Sequence, residues 1–244
     1  MAVHLYGVIA AGSDLPELTG RAGAPVRAVV GSGLRAVVSD VDADASAGRD
    51  DLLAHAHTLE ALVALTTVLP AQFGVVMPDD EHVRVELLEA GRDELTGLLR
   101  DFDGLIQVTV QARYQEEAAL RELLRRDPAL VELREAARRG GHAMQVRLGE
   151  AVAAGLDRLT GAEGDRLLGL LAPYARAIAD NDTRGPHDVL NAALLIERTR
   201  QRELDAAVAD LARSVALAMS IRYVGPQPPY SFLEPMQRGE IAWA

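Results

Sequence analysis

The residues of this chain that could do chemistry are scattered. Asp40, Asp42 and Asp44 have the 1-3-5 spacing of a calcium loop. The sixth position, where such a loop must turn sharply, is Ala45 and not Gly, and the twelfth is Asp51 in place of a bidentate Glu. The run reads as a solvated acidic loop. His55 and His57, on a helix, point about 200° apart and cannot share one metal ion; His55 is expected at the core edge and His57 in solvent. His4, His82, His142 and His187 are isolated from one another in the sequence, and no acid beside them is read as a metal site's second shell. Gly31-Ser32-Gly33-Leu34-Arg35-Ala36 fits a dinucleotide fingerprint on paper, but that fingerprint needs a helix immediately after it. Leu34 to Ser39 reads as a strand, so the glycines read as a turn. Asp79-Asp80 and Glu116-Glu117 fall at helix starts, where capping and dipole effects account for them. No nucleophile elbow, phosphate loop or H-E-x-x-H pair occurs. Without cysteine there is no thiolate nucleophile, disulfide or Cys-based zinc site. No catalytic residue, cofactor or metal is expected, and the chain reads as a non-enzyme.

Charge narrows the partners. Over 244 residues the formal net charge is −11, which opposes nucleic acid and anionic membrane surfaces alike. One basic cluster, Arg121, Arg125, Arg126, Arg134, Arg138 and Arg139, alternates with Glu116, Glu117, Glu122, Glu132 and Glu135. It reads as a solvated helix face carrying i,i+4 pairs. The apolar runs are short and interrupted, far from the ~18–20 residues of a membrane span. The N-terminus has no basic region ahead of an apolar stretch, so a cytoplasmic protein is expected.

The elements that must position any site follow from periodicity. Val3 to Ile9 alternates as a strand, and Pro25 to Val30 and Leu34 to Ser39 form a hairpin across Gly31-Ser32-Gly33. A helix is predicted from Asp51 to Thr66, with an inward stripe of Leu52, His55, Leu59, Leu62 and either Leu65 or Thr66. Val68 to Met77 is extended and irregular. One helix then carries Leu88, Gly91, Leu95, Leu98 or Leu99, and Phe102 on one face, and Leu105 to Tyr114 closes the unit. From Gln115 to Ala172 the pattern is wholly helical, with Asp127-Pro128 as an N-cap and first-turn proline. Asn181 to Pro186 is a turn. Val189 to Ile196 suits a buried helix or a central strand equally. Leu204 to Val215 is a helix, and Leu217 to Val224 alternates. The expected fold is α+β with two domains, 1–114 and 115–244, built on ferredoxin-like α/β sandwich elements with a helical middle segment.

The most unusual stretch is Gly225-Pro226-Gln227-Pro228-Pro229-Tyr230-Ser231-Phe232. Its three prolines predict an extended backbone unable to continue the preceding strand. Two readings stand open: a strap that plugs its own core, or a rigid aromatic ledge offered to a partner. The segment resembles the G-P-W-P-P-Y-S-F signature of the gas vesicle protein F/L family. Leu5-Tyr6-Gly7-Val8-Ile9 looks like that family's opening strand. Val68-Leu69-Pro70-Ala71-Gln72-Phe73-Gly74 is similar to its V-L-P-F-R-F-G block. Asp180-Asn181-Asp182 with Val189-Leu190-Asn191-Ala192-Ala193 looks like its late D-N…V-L-N-A-A block. These matches stand in family order across nearly the whole chain. Gln227 departs from the usual Trp, and Ala71-Gln72 from the usual Phe-Arg.

The resemblance implies an accessory or minor component of gas vesicles involved in their assembly. It further implies binding of the hydrophobic shell subunit, limiting its aggregation, with other gas vesicle accessory proteins as partners. It points to two α+β domains, favours strand for Val189 to Ile196, and assigns no catalytic residue. Candidate partner-binding residues are Pro226, Pro228, Pro229, Tyr230 and Phe232, with Leu69, Pro70 and Phe73 second. The alternatives are a structural part of the mature shell or a small-ligand-binding ferredoxin-like protein.

Overall fold

The computed structural model describes residues 1–42, 46–181 and 185–233. The end of the acidic run, Asp44 and Ala45, and Asp182 to Arg184 of the predicted turn lie outside the described residues. The described residues divide into two compact units, one within 1–107, 197–199 and 225–233, the other within 108–196 and 200–224.

In the first unit, β1 (Val3–Ala10) is buried through Ile9 on both faces, where an alternating strand would leave one face in water. β2 (Val26–Gly31) and β3 (Leu34–Asp40) form the predicted hairpin. Its two loop residues have φ of 53° at Ser32 and 80° at Gly33, the left-handed pair that matches strand twist. The glycine-rich stretch is therefore a turn. α1 (Arg49–Leu65) buries His55, Thr58, Leu59, Leu62 and Val63. Leu52, placed in the inward stripe by periodicity, is 47% exposed; of the two alternatives at the stripe's far end, Leu65 is 59% exposed and Thr66 is half-buried. The buried stripe spans only the middle of the helix, because its first turn is instead held by Asp51, which accepts from Gly48 N and Ala22 N.

β4 (Leu69–Pro70) and β5 (Val76–Met77) both pair with β1, giving the order β2-β3-β1-β4. Gly7 makes this possible, since a Cβ there would lie 2.4 Å from the Leu69 carbonyl oxygen. The predicted single helix after Met77 is built in pieces. Asp79 caps α2 (Asp80–His82) by accepting from His82 N, and Val83–Glu89 is wound at π-helical spacing. α3 (Arg92–Asp101) restarts at Gly91, where a Cβ would meet the Leu87 carbonyl at 2.7 Å. The expected inward residues Leu88, Leu95 and Phe102 are all buried.

β6 (Leu105–Tyr114) leads into the second unit. There α4 (Glu116–Arg126), α5 (Pro128–Arg139) and α6 (His142–Leu171) make up the helical stretch. Asp127 caps α5, accepting from Ala129 N ahead of the first-turn proline. β7 (Ala177–Asp180), β8 (Asp188–Glu197), α7 (Gln201–Val215) and β9 (Met219–Gln227) follow. The apolar run left open between helix and strand is thus strand β8. The sheet order β7-β8-β6-β9, for a chain order β-α-β-β-α-β, is that of a ferredoxin-like sandwich. Helix α6 lies directly on β8: a Cβ on Gly164 would come 2.4 Å from the Val189 carbonyl. No described helix is long and apolar enough to cross a membrane.

One expectation is corrected. The prolines do not end the strand before them, because β9 runs on through Pro226 to Gln227. The strand is at the sheet edge, where a residue lacking N–H costs no ladder bond.

Candidate functional site

The proline–aromatic segment is anchored as it leaves β9. Pro228 and Pro229 are buried, and Tyr230 to Phe232 make a single 3-10 turn. Tyr230 N donates to the Pro228 carbonyl at 2.8 Å and Phe232 N to the Pro229 carbonyl at 3.0 Å. Ser231 N donates to Oε1 of Gln107 at 2.9 Å, and Gln107 is itself buried at the start of β6. A buried side-chain amide that meets a backbone N–H locks the segment, since losing either partner strands a polar group away from water. Tyr230 and Phe232 are half-buried, as is Pro226. Burial pushes the Tyr230 phenol above its ordinary value.

The second candidate group is held by different partners. Leu69 and Pro70 are buried against Val8 and Gly7 of β1, and Ala71 N donates to the Tyr6 carbonyl at 2.8 Å. Phe73 is half-buried, with its ring edge-on to His4 and His55 at 5.8 and 5.6 Å. Of the eight candidates, then, Leu69, Pro70, Pro228 and Pro229 are packing residues, and Pro226, Phe73, Tyr230 and Phe232 keep part of their surface.

Beneath Phe73 lies a cluster whose members look unrelated in the sequence. His4 Nε2 and His55 Nδ1 share a hydrogen bond of 2.9 Å, with both rings buried. Tyr6 stacks on His55 at 5.3 Å, and its hydroxyl meets Ser39 Oγ at 2.9 Å and accepts from Arg21 N at 2.7 Å. Burial above all, then His55 and Arg21, lower the His4 pKa to about 4, with Asp51 acting the other way. Burial lowers His55 too, opposed by the Ala71 backbone. Both imidazoles are therefore neutral at neutral pH. His55 sits where its helical position places it; its partner 51 residues away left no local signal.

His82 and Asp79 form an exposed pair at 2.7 Å within one helix cap. Their hydrogen bond raises the imidazole and lowers the carboxyl. Asp40, first of the acidic run, is paired with Arg27. Among the described residues, no three His, Asp or Glu side chains are grouped to hold a metal ion.

Fold and geometry first define a class: a two-unit α+β protein with two antiparallel sheets, whose proline–aromatic and Leu69–Phe73 segments are seams of the first unit. Comparison with known proteins then gives the family. The chain belongs to the gas vesicle synthesis protein GvpL/GvpF family, whose sequence profile matches residues 2–234. It is 32% identical to gas vesicle protein F of Streptomyces sp. (strain CB03234), over 96% of this chain and all of that one. It is 24% identical to gas vesicle protein F of Dolichospermum flosaquae over 77% of this chain and 78% of that one. The crystal structure of GvpF from Anabaena sp. PCC7120 superposes with a TM-score of 0.81 at 22% identity, covering 95% of this chain and 97% of that chain. GvpF from Microcystis aeruginosa gives 0.78 at 23% identity, covering 95% and 98%.

Proposed function

We propose that this chain is an accessory protein of gas vesicle assembly that binds the hydrophobic shell subunit and limits its aggregation in the cytoplasm, catalysing no reaction. The observation that carries this reading is the family match over residues 2–234. The structure supports a division of labour within the candidate residues. Phe73, Tyr230 and Phe232 make the contact; Leu69, Pro70, Pro228 and Pro229 set the backbone that presents them. Covering apolar surface on the subunit lowers the concentration of aggregation-prone chain, and a net charge of −11 keeps the complexes apart.

The test is co-expression of the shell subunit with the chain or with its Tyr230→Ala/Phe232→Ala variant, followed by sedimentation of the subunit. The chain should keep the subunit in the supernatant, and the double variant should lose most of that effect while its melting transition stays within a few degrees. A subunit that pellets equally with and without the intact chain overturns the proposal. Recovery of the chain on washed vesicles would mark it instead as part of the mature shell.

A further inference from the structure

Inside the second unit, α4, α6 and the turn from α7 into β9 enclose an open groove of about 380 Å³. Its floor is apolar: Tyr114, Ala118, Val215 and Met219 line it, each itself buried. At its rim stands Leu217, 93% exposed, the most exposed large apolar side chain among the described residues. Covering such a side chain with a partner gains about 1.5–3 kcal/mol when it is fully buried.

The opposite rim is basic. Arg121, Arg125 and Arg126 reach it from α4, where the sequence pattern reads simply as a solvated, self-paired face. Pairing is incomplete. Arg125 and Arg126 converge on a single carboxylate, Glu122. Arg121 donates to the Glu117 carbonyl and makes no ion pair among the described residues. The groove's other carboxylate, Glu163, is bound by Arg166. Two guanidiniums thus share one carboxylate and a third has none among the described residues, beside an apolar floor, on a chain whose overall charge is −11. Among the groove's lining residues three guanidiniums face two carboxylates, Glu122 and Glu163.

We propose that this groove docks a short acidic, leucine-bearing segment of a partner protein. One carboxylate of the segment pairs with Arg121 and a second joins the Arg125–Arg126 pair. An apolar side chain between them covers Leu217 and the floor formed by Ala118 and Val215. Charge complementarity selects the sign of the partner, and the apolar floor selects a peptide over a simple anion, because a phosphate has nothing to bury there. This surface is separate from the residues proposed to meet the shell subunit and does not depend on that role.

The probe is a fluorescein-labelled peptide of repeating Glu-Leu-Leu-Glu units, with its Lys-for-Glu counterpart as control, titrated with the full chain by anisotropy. The acidic peptide should bind, more weakly as salt rises, while the Lys peptide does not. Arg121→Glu and Leu217→Ser should each weaken binding about tenfold, the effect of losing roughly one favourable contact. Both positions are exposed, so the variants keep the wild-type circular dichroism spectrum. No binding of the acidic peptide overturns the proposal, as does binding that neither variant changes. Displacement by tripolyphosphate as effective as by unlabelled peptide reduces the groove to an anion site and overturns it too.

Discussion

The buried histidine pair makes the stability of the first unit depend on pH in a range where few other groups titrate. His4 has an ordinary pKa of 6.5 and a folded-state value of about 4. An imidazole with a lowered folded value binds its proton more readily in the unfolded chain. Stability is therefore complete above 6.5, falls as pH drops through 6.5, and stops falling at about 4. Between pH 7 and pH 5, His4 alone removes about 2 kcal/mol, at ~1.4 kcal/mol per pH unit over the interval where only the unfolded form is protonated. His55 is shifted in the same direction by the same burial and adds to the loss. Arg21 disfavours the extra charge and Asp51 partly offsets it. The hydroxyl of Tyr6, which stacks on His55, is satisfied by Ser39 and Arg21 N.

The perturbation is His4→Phe, which keeps an aromatic ring against Tyr6 and Phe73 and removes the titrating group. Urea unfolding of both proteins at pH 7, 6 and 5, followed by far-UV circular dichroism, gives two slopes of stability against pH. The wild-type slope should exceed the variant's by about 2 kcal/mol over the window. The constant cost of leaving His55 Nδ1 without its partner appears at every pH and cancels from the comparison. Parallel slopes would refute the reasoning, because the acid sensitivity would then lie outside the pair. A wild-type protein indifferent to this pH range would show that the imidazoles are not sealed from water at all.

Two further predictions concern the seams. Gly164→Ala drives a Cβ into the Val189 carbonyl, whereas Gly161, one helical turn earlier, has nothing within 4 Å of its Cβ position. The first should destabilise by about 1–3 kcal/mol through overpacking and the second stabilise by roughly 0.5–1 kcal/mol through helix propensity, both read from urea midpoints; equal effects would mean α6 does not lie on β8. Gln107→Leu leaves the Ser231 N–H unpartnered at a cost of about 1–3 kcal/mol. Amide exchange at Ser231 should quicken well before that of β6, and unchanged protection would show that the segment is held elsewhere.

How much of this was legible in the sequence follows from the range of each interaction. Alternation located β1, β3 and β6, and capping chemistry located α5 at Asp127-Pro128, because these signals lie within a few residues of the element they specify. The Val189–Ile196 run carried no such signal. A strand buried on both faces is uniformly apolar, and only the family resemblance favoured the strand. The π-wound segment Val83–Glu89 was not foreseeable from its residues, and Gly91, read as part of one continuous helix face, is where the winding changes. The pairing of His4 with His55 and the continuation of β9 through Pro226 depend on which strands become neighbours and which lie at an edge. Those are properties of the assembled sheet and not of any local pattern. The exposure of Leu217 and the unequal pairing of Arg121, Arg125 and Arg126 belong to the same class. An i,i+4 ladder read along α4 cannot show that its positive face borders an apolar groove.

The segment that most specifically marks the family is thus among the more tightly held in its unit. Pro228 and Pro229 are buried, Ser231 is bonded through its backbone to Gln107, and Leu233 is 2% exposed. A surface evolved only to meet a partner has no need of such anchoring, and a strap evolved only to close a core has no need to leave Tyr230 and Phe232 half in solvent. The two roles are compatible if the anchoring is what makes the contact selective. Side chains whose backbone is fixed beforehand lose little conformational freedom on binding, and the contact then strengthens without added area. Under the proposed function, loosening the strap at Gln107 and truncating the aromatics at Tyr230 and Phe232 should weaken shell-subunit binding by different routes. Gln107→Leu should still bind, with a larger entropic cost and a weaker affinity, whereas the double alanine variant should lose the contact itself. Calorimetry of the two variants against the same subunit separates them, and an identical enthalpy and entropy for both would show that presentation and contact are one and the same.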